Sequence, residues 1–166
     1  MDSVSRHTLS ILVENKFGVL ARVAGMFSGR GYNIHTLNVG PSHTPGTSRM
    51  TIVVRERENV LEQIIKQLDK LVDVITVTDF RAGEFVDREL VLLTVRADKD
   101  NRAEVIELCD LFRAKIIDVG HGQLTIEITG DGSKINKFVT LMEKFEIIEL
   151  TRTGKIALPR VDGEGA

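Results

Sequence analysis

The apolar positions of this chain alternate between strand spacing and helix spacing. An apolar run predicts a short strand over residues 8–13. A helix that begins near Gly18 is predicted next, because the following apolar residues fall at the i, i+3, i+4 and i+7 positions of one helix face: Leu20, Val23, Ala24 and Phe27. Residues 29–31 (Gly-Arg-Gly) end this helix, since glycine readily adopts the left-handed conformation that closes one.

The alternation continues to residue 80. Residues 33–40 and 48–55 are predicted strands, separated by a loop over 41–46 that is rich in Pro, Ser, Thr and Gly. A second apolar helix stripe covers 61–68, and β-branched residues predict a closing strand over 72–80. The predicted order is β-α-β-β-α-β.

The same order recurs in the second half of the chain, with Phe112 predicted in the place of Phe27. The sequence therefore predicts an α+β fold of two tandem modules, 1–81 and 82–159, joined near 81–87, with a disordered tail over 160–166. Each module is a ferredoxin-like antiparallel sheet of four strands with two helices on one face. We expect the other sheet face to be covered by a second module or subunit.

Composition and charge narrow the function. The chain has 166 residues, a net charge of −2 and a pI near 6.1, without the basic field that nucleic-acid binding requires. The single Cys109 excludes an intrachain disulfide framework, and no apolar run approaches the ~20 residues of a membrane span. We expect a cytoplasmic protein that binds neither nucleic acid nor membrane.

A candidate ligand site lies where the first strand turns into the first helix. The backbone N–H groups of Gly18, Val19 and Leu20 have no intrahelical partner, so they are able to hold a carboxylate. The side chain of Asn15 either contacts the same ligand or simply caps the helix. Asn33 leads the next strand, where an ordinary turn Asn is equally common. Only the two Asn residues together indicate a site for a small amino acid.

Other chemistry-bearing residues predict neither a catalytic nor a metal site. The run at 130–132 (Gly-Asp-Gly) begins like the thiamine-diphosphate motif but lacks that motif's later Asn stretch, so it is interpreted as a turn before a helix. Cys109 lies on an apolar helix face and is interpreted as a buried hydrophobe. The histidines lack metal-ligand or triad spacing and are interpreted as surface or turn residues: His7, His35, His43 and His121.

These features resemble a known family, the small regulatory subunits of acetolactate synthase, also called acetohydroxyacid synthase. The resemblance covers about residues 8–159. It is carried by these segments: ENKFGVL at 14–20, FSGRGYNI at 27–34, SRMT at 48–51, QLDKLVDV at 67–74, REL at 88–90, FR at 112–113, IIDV at 116–119 and RTG at 152–154.

The resemblance implies an amino-terminal ACT domain and an ACT-like carboxy-terminal domain, in a homodimer whose ACT sheets pair side by side. It also implies a partner, the catalytic large subunit, which carries thiamine diphosphate, FAD and magnesium, while this chain carries no cofactor. The small subunit of this family raises the activity of the large one. It also confers feedback inhibition of branched-chain amino acid biosynthesis by valine, with leucine or isoleucine as alternatives.

In the family the effector lies between two ACT domains. Carried onto this sequence, the effector-binding residues are Asn15, Gly18, Val19 and Leu20 of one subunit, facing Asn33 and Ile34 of the other. The second module has no glycine before its helix in 96–102, so we expect no amino acid to bind there. That module is assigned to dimerisation or to contact with the large subunit, with Arg102, Arg113 and Lys115 as solvated charges.

Three other functions were weighed. An ACT-type sensor that controls a different enzyme has the same motifs and stays open. An RNA-binding module shares the β-α-β-β-α-β order, but its stacking aromatics are missing from residues 48–55. An enzyme is disfavoured, because the sequence shows no cluster of acid, base or metal ligands.

Overall fold

A computed structural model describes residues 3–81 and 84–161. Its first half has the predicted β-α-β-β-α-β order, and neighbouring strands of its sheet are antiparallel in the spatial order β2-β3-β1-β4. The elements are β1 Ser5–Glu14, α1 Val19–Gly29, β2 Ile34–Pro41, β3 Thr47–Glu56, α2 Glu58–Leu68 and β4 Val74–Phe80.

The second half repeats this order, with strands arranged β6-β7-β5-β8. Its elements are β5 Phe85–Arg96, α3 Arg102–Phe112, β6 Lys115–Gly120, β7 Gln123–Gly130, α4 Gly132–Met142, a 3₁₀ turn Glu143–Phe145 and β8 Ile147–Arg152. The predicted α+β fold of two ferredoxin-like modules is therefore confirmed. A further strand, β9 (Ile156–Pro159), which the sequence did not indicate, pairs with β5.

The chain forms two compact units. Of the described residues, 3–81 and 84–86 group with 155–161, and Asp87–Gly154 form the other unit. The predicted connector over 81–87 is partly strand, because β5 already begins at Phe85. Of the tail predicted over 160–166, residues 162–166 lie outside the described residues. No helix in 3–81 and 84–161 is long and apolar enough to cross a membrane.

Each unit has its own hydrophobic core between its sheet and its two helices. Alternate residues of β1 point into the first core because side chains alternate across a strand, and Leu9, Ile11 and Val13 are all buried. α1 adds Phe27, which is 1% exposed. The second core is built from these buried residues: Val91, Leu93, Val95, Ala97, Val105, Cys109, Leu124, Ile126, Ile128, Ile135, Phe138, Met142 and Phe145.

The predicted equivalence of Phe112 with Phe27 is wrong. α1 and α3 end in the same motif, in which Tyr32 N donates to the carbonyl of Phe27 (3.0 Å) and Ala114 N donates to that of Cys109 (2.8 Å). Cys109 therefore takes the place of Phe27, and Phe112 is only half-buried beside the second core. The sequence pattern misleads here because a shift of three residues preserves much of a helical i, i+3, i+4 stripe.

Candidate functional site

The turn between β1 and α1 depends on Gly18. This residue is the N-cap of α1 and has φ 82° and ψ −8°, in the left-handed region that only glycine adopts without strain. A Cβ at Gly18 would lie 2.8 Å from Nη1 of Arg22. The backbone conformation of this turn therefore favours glycine, whereas a Cβ would meet only the end of the long Arg22 side chain.

Asn15 does not cap α1. The N-cap is Gly18, and the helix has no side-chain cap hydrogen bond, so the capping interpretation is wrong. Asn15 is exposed, and its backbone N–H donates to the carbonyl of Gly46 at 2.8 Å. This bond holds the turn against the loop before β3 and leaves the side-chain amide at the surface.

The first turn of α1 presents unsatisfied backbone donors. Among the described residues, the N–H groups of Leu20 and Ala21 have no backbone acceptor, whereas that of Val19 donates to the Lys16 carbonyl at 3.4 Å. The side chain of Val19 is buried in the first core, and that of Leu20 is 44% exposed. Val19 thus contributes packing, while the free backbone donors in this described part of the chain are the N–H groups of Gly18, Leu20 and Ala21.

A buried carboxylate beside this turn was missed by the sequence analysis. The side chain of Asp73 is 3% exposed; its Oδ2 accepts from Nε of Arg22 at 2.5 Å, and its Oδ1 lies 3.1 Å from Nζ of Lys16. Lys16 also pairs with Glu14. The cluster therefore balances two cations against two carboxylates and ties α1 to the segment before β4.

The ion pairs shift the pKa values of this cluster. The hydrogen bond from Arg22 lowers the pKa of Asp73, burial opposes this effect, and Lys16 assists it. Hydrogen bonds to Glu14 and then to Asp73 raise the pKa of Lys16. Both groups are therefore held in their charged forms at neutral pH. No local sequence spacing reveals the cluster, since Arg22 and Asp73 come from distant segments.

Asn33 and Ile34 lie at the other end of the sheet. Asn33 is exposed just before β2, and Ile34 packs on the first core. Ile34 pairs with Val54 of β3, whereas Glu14, at the end of β1, pairs with Thr47. Seven residues of a strand span roughly 23 Å at the usual rise. A single copy of the chain therefore does not bring the two predicted half-sites together.

The remaining candidates have structural roles. Asp131 is the N-cap of α4 and accepts from Lys134 N at 2.9 Å, which confirms the predicted turn before a helix. Cys109 is buried, and burial raises the pKa of its thiol to about 11, so it is a core residue as predicted.

His7 is not the surface residue that was predicted. Its side chain is 11% exposed, and its Nε2 lies within hydrogen-bonding distance of Ser5 Oγ (2.9 Å) and of the Glu56 carbonyl (3.1 Å). The other three histidines are exposed, as predicted. Within 3–81 and 84–161 no group of three or more His, Cys, Asp or Glu side chains is arranged to hold a metal ion.

Comparison with known proteins agrees with this architecture. Residues 9–76 match the family model of the ACT domain of acetohydroxyacid synthase small subunits, so the first unit is of the ACT class. Residues 88–161 match the model described as the small subunit of acetolactate synthase. The chain belongs to the acetolactate synthase small-subunit family.

Relatives and a solved structure support this assignment along most of the chain. A probable acetolactate synthase small subunit of Archaeoglobus fulgidus is 49% identical over 155 residues, which are 93% of this chain and 97% of that protein. The acetolactate synthase small subunit of Mycobacterium leprae is 48% identical over 96% of this chain and 95% of its own. The crystal structure of the acetolactate synthase small subunit from Thermotoga maritima is similar to this chain, with a TM-score of 0.87 and 43% identity. The match covers 95% of this chain and 98% of the other.

Proposed function

We propose that this chain is the non-catalytic regulatory subunit of acetolactate synthase, which activates a large catalytic subunit and makes it sensitive to valine, with leucine or isoleucine as alternatives. Family membership and the names of its relatives support the assignment. In this proposal thiamine diphosphate, FAD and magnesium belong to the large subunit. The observation that carries the effector site is the turn at Gly18, where free amides and the uncommitted Asn15 side chain lie together at the surface.

The turn suits an amino acid chemically. The effector carboxylate accepts from the free N–H groups at the start of α1, where the helix dipole also favours an anion. Asn15 binds the polar groups of the effector with its side-chain amide. The buried pair of Asp73 with Arg22 keeps this end of α1 in place before the effector arrives, so that little ordering accompanies binding.

The apolar side of the pocket sets the preference among branched-chain effectors. Burial of a valine side chain is worth roughly 1.5 to 3 kcal/mol, and one methylene changes binding by only about tenfold. The polar contacts with the carboxylate and amino groups therefore select an α-amino acid. The apolar pocket around Ile34 sets the relative affinities for valine, leucine and isoleucine.

A second copy of the chain completes the site in this proposal. β2 is an edge strand of the first sheet, so its outer side is open to pairing. The far end of β2 lies level with the turn at the end of β1. Pro41 of β2 pairs with Ser48 of β3, and the neighbouring residue of β3, Thr47, pairs with Glu14. Antiparallel pairing of two β2 strands places the start of one beside the end of the other. Ile34 of one subunit thereby approaches the turn of its partner.

A shared site explains how an effector controls a partner enzyme. An effector that contacts two copies favours the pairing in which both half-sites meet. Inhibition follows if that pairing activates the large subunit less than the effector-free pairing does. The proposal therefore links valine binding, dimer geometry and activation in one equilibrium.

Gly18→Asp tests the assignment of the turn. The added carboxylate lies where the effector carboxylate binds, so we expect valine inhibition of the reconstituted enzyme to be lost while activation is kept. Because φ at Gly18 is 82°, Gly18→Ala is the matched control, which introduces the backbone strain without the charge. Full valine sensitivity in Gly18→Asp would show that the effector binds elsewhere.

Asn33→Ala tests the sharing of the site between subunits. Asn33 is exposed, so its truncation leaves the first core intact. Loss of one hydrogen bond to a charged effector group is worth about 1.5 to 3 kcal/mol, and we expect valine affinity to fall roughly tenfold or more. Calorimetry on the isolated protein measures this affinity directly, and an unchanged value would contradict the shared geometry.

A further inference from the structure

The second unit contains a cavity at the position that corresponds to the turn between β1 and α1 of the first unit. The cavity measures about 720 Å³, which is within the range of small-molecule sites. Its lining comes from two segments, the turn between β5 and α3 and the hairpin between β6 and β7: Ala97, Asp98, Lys99, Arg102, Val119, Gly120, His121 and Gly122.

Arg102 is the central polar group of this cavity. The sequence predicted a solvated charge at this position, and that prediction is wrong. Its side chain is part-buried; Nε donates to the Ala97 carbonyl at 3.3 Å and Nη2 to the Gly120 carbonyl at 3.0 Å. A guanidinium has five N–H donors, so within the described part of the chain these bonds leave three without an acceptor. Two backbone contacts thus fix the guanidinium and leave part of its donor edge for a ligand.

The cations of the cavity have no paired acid. Among the described residues no carboxylate lies within 4 Å of the charged groups of Arg102 or Lys99. Asp98 also lines the cavity, and its Oδ1 accepts from the backbone N–H of Asp100 at 3.0 Å; its negative charge offsets one of the two cations, Lys99 and Arg102, and leaves the other. Glu146 lies in the segment before β8, which corresponds to the position of Asp73 before β4. Its carboxylate pairs with Arg96 and not with Arg102 or Lys99.

We propose that this cavity binds a small molecule through an oxyanion, a phosphate or a carboxylate group, held by Arg102 and Lys99. A planar guanidinium matches the oxygens of either group with two parallel hydrogen bonds. The cavity volume of about 720 Å³ leaves room for an organic part beside the oxyanion. This site lies in Asp87–Gly154, whereas the turn at Gly18 lies in the first unit.

Titration of the full chain with inorganic phosphate and, separately, with acetate at constant ionic strength tests the site by NMR. We expect saturable shifts of the amide signals of Gly120 and Gly122. Lys99→Gln is expected to weaken binding roughly two- to fivefold, and Arg102→Gln roughly tenfold or more. Lys137→Gln is the matched control, because it removes an exposed charge of the same unit outside the cavity.

The outcomes separate the proposal from its alternatives. Saturation by phosphate assigns a phosphate ester, and saturation by acetate alone assigns a carboxylate. Absence of saturation with both anions, or equal weakening by Lys99→Gln and Lys137→Gln, overturns the site. Arg102 also holds two backbone carbonyls, so the exposed Lys99 decides the result if Arg102→Gln is unfolded. Gly18→Asp is expected to leave these titrations unchanged, whatever its effect on valine.

Discussion

The two units begin their strand-to-helix turns with the same pair of backbone hydrogen bonds. In each unit, the last residue of the first strand and the residue after it donate to two loop carbonyls. The bonds are Glu14 to Asp73 (2.9 Å) and Asn15 to Gly46 (2.8 Å) in the first unit, and Arg96 to Glu146 (3.1 Å) and Ala97 to Gly122 (2.8 Å) in the second. The way each turn leaves its strand is therefore a property of the fold.

The side chains on this common backbone differ. Asp73 is buried and pairs with Lys16 and Arg22, whereas Glu146 pairs with Arg96, whose side chain is 53% exposed. Ala97 stands where the first unit has an exposed Asn, and the N-cap of α3 is Asn101 with φ −116°, not a left-handed glycine. The two units therefore share a fold, but the charged and polar side chains at their turns are different.

The largest expected difference between the units lies in their cores. Phe27→Ala should destabilise the first unit by about 3 to 5 kcal/mol, because it empties a fully buried ring site. Cys109→Ala, at the corresponding place, removes a single sulfur atom and should cost about 1 kcal/mol. The chain has one tyrosine, Tyr32, and no tryptophan, so tyrosine fluorescence during denaturation reports the first unit, and the amide NMR signals of Asp87–Gly154 report the second. Equal losses of stability would contradict the assigned correspondence.

Asp73→Asn tests the charge difference between the turns. It leaves Lys16 and Arg22 beside a buried neutral group, so we expect Tm at pH 7 to fall by several degrees. Because the folded pKa of Asp73 is lowered, its contribution is present above the ordinary pKa of an aspartate and is lost as pH falls through the folded value. The Tm difference from the parent protein should therefore shrink below about pH 4.

Glu146→Gln is the control for that prediction. Glu146 and Arg96 form an exposed pair, and exposed pairs contribute little because solvent screens them. We expect a change in Tm of about 1 °C or less. A loss as large as that of Asp73→Asn would mean that the two acids have the same role and that burial does not distinguish the turns.

The sequence predicted the fold well, because strand alternation and helix stripes are local signals. It located the turn at Gly18 and the absence of such a glycine in the second unit. It did not reveal β9, which has only four residues, nor Asp73, which meets Arg22 through tertiary structure. It also left Arg102 as a solvated charge, since only the folded hairpin brings the Gly120 carbonyl within 3.0 Å of it.

The two loop glycines provide the finest test of the comparison. Gly46 and Gly122 have φ 77° and 76°, and a Cβ would meet no atom within 4 Å at either one, so only backbone strain acts in Gly46→Ala and Gly122→Ala. We expect each to cost about 1 to 2 kcal/mol. Their functional effects should separate, because the Gly46 carbonyl accepts from the backbone N–H of Asn15, and Gly122 lines the cavity of the second unit. Gly46→Ala should weaken valine binding in calorimetry and leave phosphate titrations unchanged. Gly122→Ala should weaken phosphate binding and leave valine binding unchanged. If either substitution impaired both ligands, the two turns would be coupled and could not be treated as independent sites.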